Sequence, residues 1–308
     1  MDAIMTSPVS LSRPAVQRSF WRRHEKTLAP AMFLSPALFA FLLFVVWPIL
    51  SSVWISFHEW DGLGPKIFIG LDNYRELFSD DKFYVALVNN IKWLILYLLA
   101  PVGGLIIALF LNQQMPGMRL IKALFFFPFV ISQVVVGVIF SWFYDPNFGL
   151  LNVVLNAVGL PSIAPLGDEH MVTYAIIVAG LWPQIAYCMI LYLTGLNNVN
   201  PELIEAARMD GCKGFPMFWN IILPQLRPAT FIAVVVTVIG ALRSFDLVAI
   251  MTNGGPYDSS TVLGYFMYEQ AIFAYRMGYG AAIATVLFLI MDIYIAFFLV
   301  SMLRKEAE

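Results

Sequence analysis

Long apolar runs alternate with short polar segments along most of this chain. A helix needs about 20 apolar residues to cross the roughly 30 Å of hydrocarbon in a bilayer. Six runs meet this length, at about 31–57, 84–111, 120–143, 172–196, 228–251 and 279–303. The runs Leu28 to Phe57 and Met171 to Leu196 contain no charged residue. The pattern therefore predicts an all-α membrane protein with six transmembrane helices within residues 31–303.

Composition agrees with this interpretation. Charged residues make up 12% of the chain and hydrophobic residues 60%, whereas soluble domains carry about 25% charged residues. A soluble chain of 308 residues could not hide this much apolar surface in one core. A net charge of −2 offers no basic surface for nucleic acid, so we expect a lipid bilayer as the environment.

Lysine and arginine are unevenly divided between the two sides that six spans define. One side would hold Arg13, Arg18, Arg22, Arg23, Lys26, Arg119, Lys122, Arg208, Lys213, Arg227, Arg304 and Lys305. The other would hold only Lys66, Arg75, Lys82 and Arg276. Because basic residues concentrate on the cytoplasmic side, we expect both termini and the loop 197–227 to be cytoplasmic. The chain would then have cytoplasmic tails at 1–30 and 304–308.

The basic N-terminus followed by an apolar run also raises the alternative of a signal peptide. That run is too long for a signal peptide, and no small-residue cleavage site ends it. We therefore expect it to be kept as the first span.

A two-part helical hairpin is predicted between the fourth and fifth spans. Asn200 can cap a helix, and Pro201 fits its first position, where the missing N–H has no consequence. Gly211 would end this helix after about ten residues, roughly 15 Å, which is too short to cross a membrane. A second short helix is expected from Pro216, ending before Pro224. Such a hairpin is typical of a docking element.

The same hairpin carries a spaced motif. It consists of Glu205, Ala206, Ala207, Gly211, Ile221, Leu223 and Pro224. This spacing resembles the EAA loop of permease subunits in binding-protein-dependent ABC importers. The resemblance implies that these residues, with Asp210, lie in a groove of a separate cytoplasmic ATPase subunit. They would transmit nucleotide-driven closure of that subunit to the membrane spans, as a coupling helix.

Further segments resemble the carbohydrate class of this family, the maltose and glycerol-3-phosphate type. Phe245-Asp246, followed by Thr252 to Pro256 (TNGGP), has this character. The predicted outward loops, which contain Gly70 to Tyr74 and Asn147 to Gly149, resemble stretches that help to seat an external binding protein. The alternative is that both loops are solvated connectors.

Polar side chains within the spans are candidates for a substrate pathway. They are Gln133, Trp182, Gln184, Tyr187, Thr237, Arg243, Ser244 and Asp246. Amide, phenol and indole groups suit a polyhydroxyl ligand, which needs hydrogen bonds and a cover for its apolar face. The resemblance to maltose-type permeases favours Gln184 and Tyr187. The alternative for both is a hydrogen bond between helices.

The fifth span places Thr237, Ala241 and Ser244 on one predicted helix face. Arg243 and Asp246 stand three residues apart on the same predicted helix, close enough to neutralise each other. They could form a structural ion pair or line the pathway. Asp292 is expected to be buried in the middle of the sixth span, where it would serve helix packing; the alternative is a role in the pathway.

Several activities lack their usual motifs. The sequence has no G-x-x-x-x-G-K-[ST] stretch for ATP, no nucleophile elbow, and no histidine or cysteine cluster for a metal. We therefore expect no catalytic residue, cofactor or metal in this chain, with ATP and Mg held by the partner ATPase.

The resemblance implies a bacterial inner-membrane complex. Its other members would be a second permease on a different chain, two ATP-binding subunits and an external solute-binding protein that delivers a sugar. Two alternatives differ in class. An ion-coupled secondary transporter would use Lys92, Arg243, Asp246 and Asp292, and an intramembrane enzyme would need a nucleophile that the chain lacks.

Overall fold

A computed structural model describes residues 20–306 except residue 114. Most of the predicted tail 1–30, including Arg13 and Arg18, and the last two residues of 304–308 therefore lie outside the described residues. The chain divides into two compact units, Met1–Ser51 and Ser52–Glu308.

The first unit is described by one long helical stretch. It comprises α1 (Phe20–Phe41), a π-helical segment (Leu42–Val46) and most of α2 (Trp47–Ile55). The wider π turn ends where the Trp47 N–H bonds to the carbonyl of Leu42. It lies just before Pro48, which has no N–H for the ordinary helical ladder.

The second unit is helical in its described part, apart from one short strand pair. Its first elements are β1 (His58–Glu59), β2 (Ile67–Phe68), α3 (Asp72–Leu77), α4 (Asp81–Tyr97), α5 (Leu99–Leu111), α6 (Met118–Val130), α7 (Gln133–Phe143), α8 (Leu150–Ala157) and α9 (Val172–Asn197). The remaining helices are α10 (Pro201–Met209), α11 (Phe215–Met217), α12 (Leu223–Gln225), α13 (Arg227–Leu242), α14 (Asp246–Met251), α15 (Leu263–Tyr268) and α16 (Met277–Glu306). Two π-helical segments, Phe218–Ile222 and Glu269–Phe273, precede α12 and follow α15. The strands pair antiparallel, with His58 opposite Phe68.

Four helical stretches in the described part are long and apolar enough to cross a membrane. They are Met32–Ile55, Asp81–Leu111, Val172–Asn197 and Met277–Phe297, and they correspond to the predicted first, second, fourth and sixth runs. Two bent pairs are further candidates: α6 with α7 at 96°, and Phe215–Gln225 with α13 at 71°. The chain thus has four candidate spans, or up to six if each bent pair is one span.

The fifth apolar run is not the single helix that the sequence predicts over 228–251. Helix α13 ends at Leu242, and a tight turn, in which the Phe245 N–H bonds to the carbonyl of Arg243, leads into the separate helix α14. The prediction is wrong because hydrophobic periodicity does not reveal a break between two consecutive apolar helices. The reason for the break is tertiary: α14 buries Leu247 and Val248 in a core that α7 shares.

Helix α9 is the centre of the second unit and contributes to two apolar cores. In one core, Ile176 and Ile177 pack with Trp93 of α4 and with α14. In the other, Met189 packs with α5 and with Leu226 at the start of α13. The two cores lie along opposite halves of α9. A third core joins α3 and the start of α4 to α15 and α16.

Buried polar side chains fix the loop between α14 and α15 onto the spans. The Asn89 amide donates to the carbonyls of Ser259 at 2.7 Å and Thr261 at 2.9 Å. The Thr173 hydroxyl donates to the same Ser259 carbonyl at 3.0 Å. One residue further along α4, the side-chain oxygen of Asn90 accepts the Leu263 N–H at 2.8 Å. These bonds tie the loop to α4 and α9 at one end of the helices.

We expect Asn89→Ala to destabilise the protein by about 2 kcal/mol or more, because it leaves two buried carbonyls with fewer donors. The unfolding midpoint of the purified protein in detergent should fall by several degrees. Lys92→Met is the matched control. Among the described residues, the half-buried Lys92 ammonium donates one hydrogen bond, to the Asn89 side chain at 3.1 Å, and lies 5.6 Å from the centroid of the Tyr174 ring. Its loss should therefore change the midpoint little. Equal shifts in the two variants would contradict this role of Asn89.

Candidate functional site

The predicted hairpin is present as two helical arms. Helix α10 begins at Pro201, and its cap Asn200 accepts the Glu202 N–H at 2.9 Å. It ends at Met209 with Asp210 as its C-cap. The next residue, Gly211, takes a φ of +80° that glycine adopts without a steric penalty. The Cys212 N–H closes the turn by bonding to the Ala207 carbonyl. The sequence therefore predicted this arm correctly.

The second arm is longer than the sequence predicts. It runs from Phe215 to Gln225 and does not end before Pro224. Pro224 falls in the first turn of α12, directly after the π-helical segment Phe218–Ile222. The wider turn lets the chain pass a residue that has no N–H, so the proline shapes this arm without stopping it.

Most predicted coupling residues face outward from this chain. Ala207 is buried, while Ile221 and Leu223 are half-buried. The exposed members are Glu205, Ala206, Asp210, Gly211 and Pro224. Among the described residues, no hydrogen bond or ion pair engages the carboxylates of Glu205 and Asp210. The hairpin thus presents free charges and a short-side-chain surface.

Exposed apolar side chains that sequence reasoning missed lie beside these residues. Met209 is 88% exposed, Phe215 71% and Trp219 57%. The rings of Phe215 and Trp219 stack, with centroids 5.9 Å apart and planes inclined by 22°. Large apolar residues in an otherwise polar segment were the available signal. Exposed apolar side chains do not stabilise a solvated loop, whereas they add apolar contact area to a docking surface.

A side-chain bridge joins the two arms at their base. The side-chain oxygen of Gln225 accepts the backbone N–H of Asn200 at 2.9 Å. The side-chain NH₂ of Gln225 donates to the backbone carbonyl of Ile221 at 3.0 Å. Asn200 begins the first arm and Gln225 ends the second. The bridge therefore holds both arms at the point where α13 begins.

A second polar group lies between α9 and α13. The Gln184 amide donates to the Thr237 hydroxyl at 3.0 Å, and the Cys188 thiol lies 3.4 Å from the same hydroxyl. Thr237 is fully buried, whereas Gln184 is half-buried. The Gln184 side chain is therefore partly accessible to a ligand. Thr237 is not accessible, so it can affect a ligand only through its hydrogen bond with Gln184.

Aromatic side chains flank this group. Tyr187 stacks on Phe129 of α6 with ring centroids 4.6 Å apart and planes at 14°. Trp182 is exposed and meets Phe140 edge-on at 5.9 Å. A cavity of 410 Å³ next to Trp182 is lined by apolar side chains of α5, α6 and α9. Stacked rings beside an amide can bind both the apolar face and the hydroxyl groups of a sugar.

The other predicted pathway residues are dispersed. Gln133 is exposed at the start of α7, next to the cap Ser132. Ser244 lies beyond the end of α13, so it does not share a helix face with Thr237 and Ala241 as predicted. Its hydroxyl is buried and has no hydrogen-bond partner in the described chain.

The predicted pairing of Arg243 with Asp246 is also wrong. Arg243 follows the last residue of α13 and Asp246 begins α14, so the two are not one turn apart on a common helix. Both side chains are exposed, and no ion pair joins them in the described part of the chain. Two charges at a break between helices are accessible to water or to a ligand.

Several apolar helices long enough to cross a membrane, with an exposed hairpin between two of them, are typical of a multi-pass membrane protein. The chain belongs to the family described as the binding-protein-dependent transport system inner membrane component, which it matches over residues 28–307.

Two relatives illustrate the similarity. The probable ABC transporter permease protein YurN of Bacillus subtilis is 40% identical over 273 residues, which cover 87% of this chain and 93% of the relative. The multiple sugar-binding transport system permease protein MsmF of Streptococcus mutans is 35% identical over 268 residues, covering 85% and 90%. Both similarities extend over nearly the whole permease.

A solved structure shares the fold. It belongs to a bacterial ABC transporter involved in the import of the acidic polysaccharide alginate, and one of its chains superposes with a TM-score of 0.81 at 22% identity. The match covers 92% of this chain and 98% of that chain. The same kind of transporter has been solved in complex with a pentasaccharide-bound periplasmic protein.

Proposed function

We propose that this chain is a permease subunit of an ATP-driven importer that moves a sugar or sugar derivative into the cytoplasm. The observation that carries the proposal is the hairpin 200–225, a bridged element in which Met209, Phe215 and Trp219 are exposed. In the described chain, the carboxylates of Glu205 and Asp210 form no hydrogen bond or ion pair. Relatives named for multiple sugars and for arabinooligosaccharides favour a carbohydrate as the substrate.

The proposed topology has six spans, in which α6 with α7 counts as one and the fifth is α13 without the hairpin arm Phe215–Gln225. An even number of spans places both termini on one side of the membrane. The excess of lysine and arginine assigns that side, and with it the hairpin, to the cytoplasm. The loop held by Asn89 then lies on the outer side, together with the outward loops proposed to seat the binding protein.

The hairpin would seat in an ATPase subunit, which holds ATP and Mg. Met209, Phe215 and Trp219 supply apolar area, and Glu205 and Asp210 supply charges that fix the register. The bridge at Gln225 makes the two arms move together. Movement of the ATPase would reach α13 directly, because Arg227 begins that helix two residues after the hairpin ends.

Transport would proceed by alternating access. With a second permease and two ATPases, closure of the nucleotide sites turns the cavity outward to receive sugar from the binding protein. Gln184 and Tyr187 then offer one amide and one ring to the substrate. So few contacts make a weak site, which suits a passage from which the sugar leaves again.

The test is uptake by the complete complex in proteoliposomes, with the binding protein outside and ATP inside. We expect uptake of the sugar that the binding protein captures, unaffected by ionophores. Uptake that continues without ATP under an imposed proton or sodium gradient would support the ion-coupled alternative and contradict the proposal.

For the pathway, we expect Gln184→Ala to lower the uptake rate several-fold, because the half-buried amide is lost from the open side. Tyr187→Ala should act similarly, whereas Tyr187→Phe, which keeps the stacking on Phe129, should retain most uptake. The affinity of the isolated binding protein for sugar is the control and should not change. Unchanged uptake in both alanine variants would assign these residues to helix packing.

A further inference from the structure

Helix α16 presents an apolar face that no described residue of its own unit, Ser52–Glu308, covers. Leu289, Ile293, Phe297 and Val300 are all exposed, Ile293 at 70% and Phe297 at 74%. Their spacings of three and four residues place them on one side of the helix. Asp292 is exposed on the same side. The expectation that Asp292 is buried by packing within this chain is therefore wrong.

The position of Asp292 along the helix makes this exposure costly. It lies two residues, or about 3 Å, from the midpoint between Arg276 and Arg304, the basic residues that bracket the span. A carboxylate at this depth is strongly disfavoured in hydrocarbon. Lysine and arginine can extend their charges to the membrane surface, but the aspartate side chain is too short to do so.

This chain supplies no partner for that carboxylate among its described residues. Among the residues whose side chains the structure describes, none forms a hydrogen bond or an ion pair with Asp292. The first span cannot provide a cation either, because Leu28 to Phe57 contains no lysine or arginine. A cation on another chain of the complex would neutralise this carboxylate.

We propose that this face, from Leu289 to Val300, docks a transmembrane helix of the second permease, which presents a lysine or arginine to Asp292. The inference rests on the proposed function, since it requires a second permease. Large apolar neighbours on both sides of Asp292 fit a helix interface better than a water-filled sugar passage. A single buried ion pair within an apolar seam also sets the register and the choice of partner.

The contact is tested by crosslinking in the complete complex. A photoreactive benzoyl-phenylalanine replaces Ile293, and we expect its crosslink to the second permease. Crosslinking only to lipid, or to an ATPase subunit, would overturn the proposal. Another outcome is that the wild-type complex imports sugar with ATP while the photoreactive residue at position 293 crosslinks to no permease. That result would overturn this inference and leave the proposed function standing.

Charge exchange tests the ion pair itself. Asp292→Lys should lower the yield of assembled complex by about tenfold or more, because two cations would then be buried together. Replacement of the partner's cation by glutamate should restore the yield. Asp292→Asn is the matched control: it keeps the shape and should lose less assembly than the lysine variant. Full assembly of Asp292→Lys without any change in the partner would overturn the pairing.

Access to water distinguishes an interface from a passage. In a Cys212→Ser background, where the remaining Cys188 is fully buried, Asp292→Cys should resist a membrane-impermeant thiol reagent. Rapid labelling would place Asp292 in an aqueous pathway and overturn the docking surface.

Discussion

Replacement of Gly211 by aspartate is expected to abolish sugar uptake while the chain still inserts into the membrane. Gly211 has a φ of +80°, and a side chain placed there would meet nothing within 4 Å. The substitution therefore creates no clash inside this chain. Its effects are strain in the turn after α10 and a new charge on the surface proposed to seat in the ATPase.

Uptake by proteoliposomes should fall by about tenfold or more. Each tenfold fall corresponds to roughly 1.4 kcal/mol of lost coupling free energy. ATP hydrolysis should persist but lose its dependence on the loaded binding protein. Glu205→Lys, which reverses an exposed and unpaired charge, should behave in the same way. Membrane abundance of each variant checks insertion.

Gly117→Asp is the matched control for this prediction. Gly117 has a φ of +84° and also has nothing within 4 Å of a built side chain. It lies between α5 and α6, outside the hairpin. The backbone strain is thus equal, and only the location differs. If Gly117→Asp lost as much uptake as Gly211→Asp, strain alone would explain the result, and the hairpin would have no special role.

The second large effect is expected at Gly104, where α5 crosses α9. A methyl group on Gly104 would lie 2.6 Å from the Cys188 Cβ and 2.7 Å from the backbone nitrogen of Met189. Backbone atoms cannot yield as a side chain does, so Gly104→Ala must push the two helices apart. Overpacking of this kind costs about 1–3 kcal/mol, and small residues at helix crossings are what allow such close approach.

The neighbouring Gly103 provides the control. The three atoms nearest to a methyl group there all belong to the flexible side chain of Ile185, the first of them at 3.4 Å. Gly103→Ala should therefore leave the unfolding midpoint in detergent unchanged, while Gly104→Ala lowers it by several degrees and reduces the amount of folded protein. Equal midpoints for the two variants would show that α5 and α9 are less tightly packed than their geometry indicates.

Local sequence features predicted much of the hairpin. The ends of α10 follow from the chemistry of a few neighbouring residues: a capping side chain at Asn200, a proline at the first position and a glycine at the stop. The end of the second arm was wrong by two residues, because Pro224 is accommodated by a π turn. That accommodation depends on the preceding turn of backbone, which composition does not reveal.

Exposure of polar residues in the spans was the least predictable property. Thr237 and Asp292 are both polar residues in apolar runs, yet Thr237 is buried beneath Gln184 and Asp292 is exposed on α16. The two positions differ in which helices pack against them. Contacts between residues more than 50 positions apart decide that difference, and no local pattern records them.

By itself, the sequence determined that this protein belongs in a membrane, where its apolar runs lie and where its hairpin begins, because insertion and helix capping depend on local chemistry. Only the tertiary structure decided that the fifth run breaks at Arg243, that Arg243 and Asp246 stand apart, and that α16 leaves a charged face uncovered. These features follow from which helices can approach one another closely, as α5 approaches α9 at Gly104. Close packing is a property of the whole bundle, so it becomes visible only when the helices are assembled.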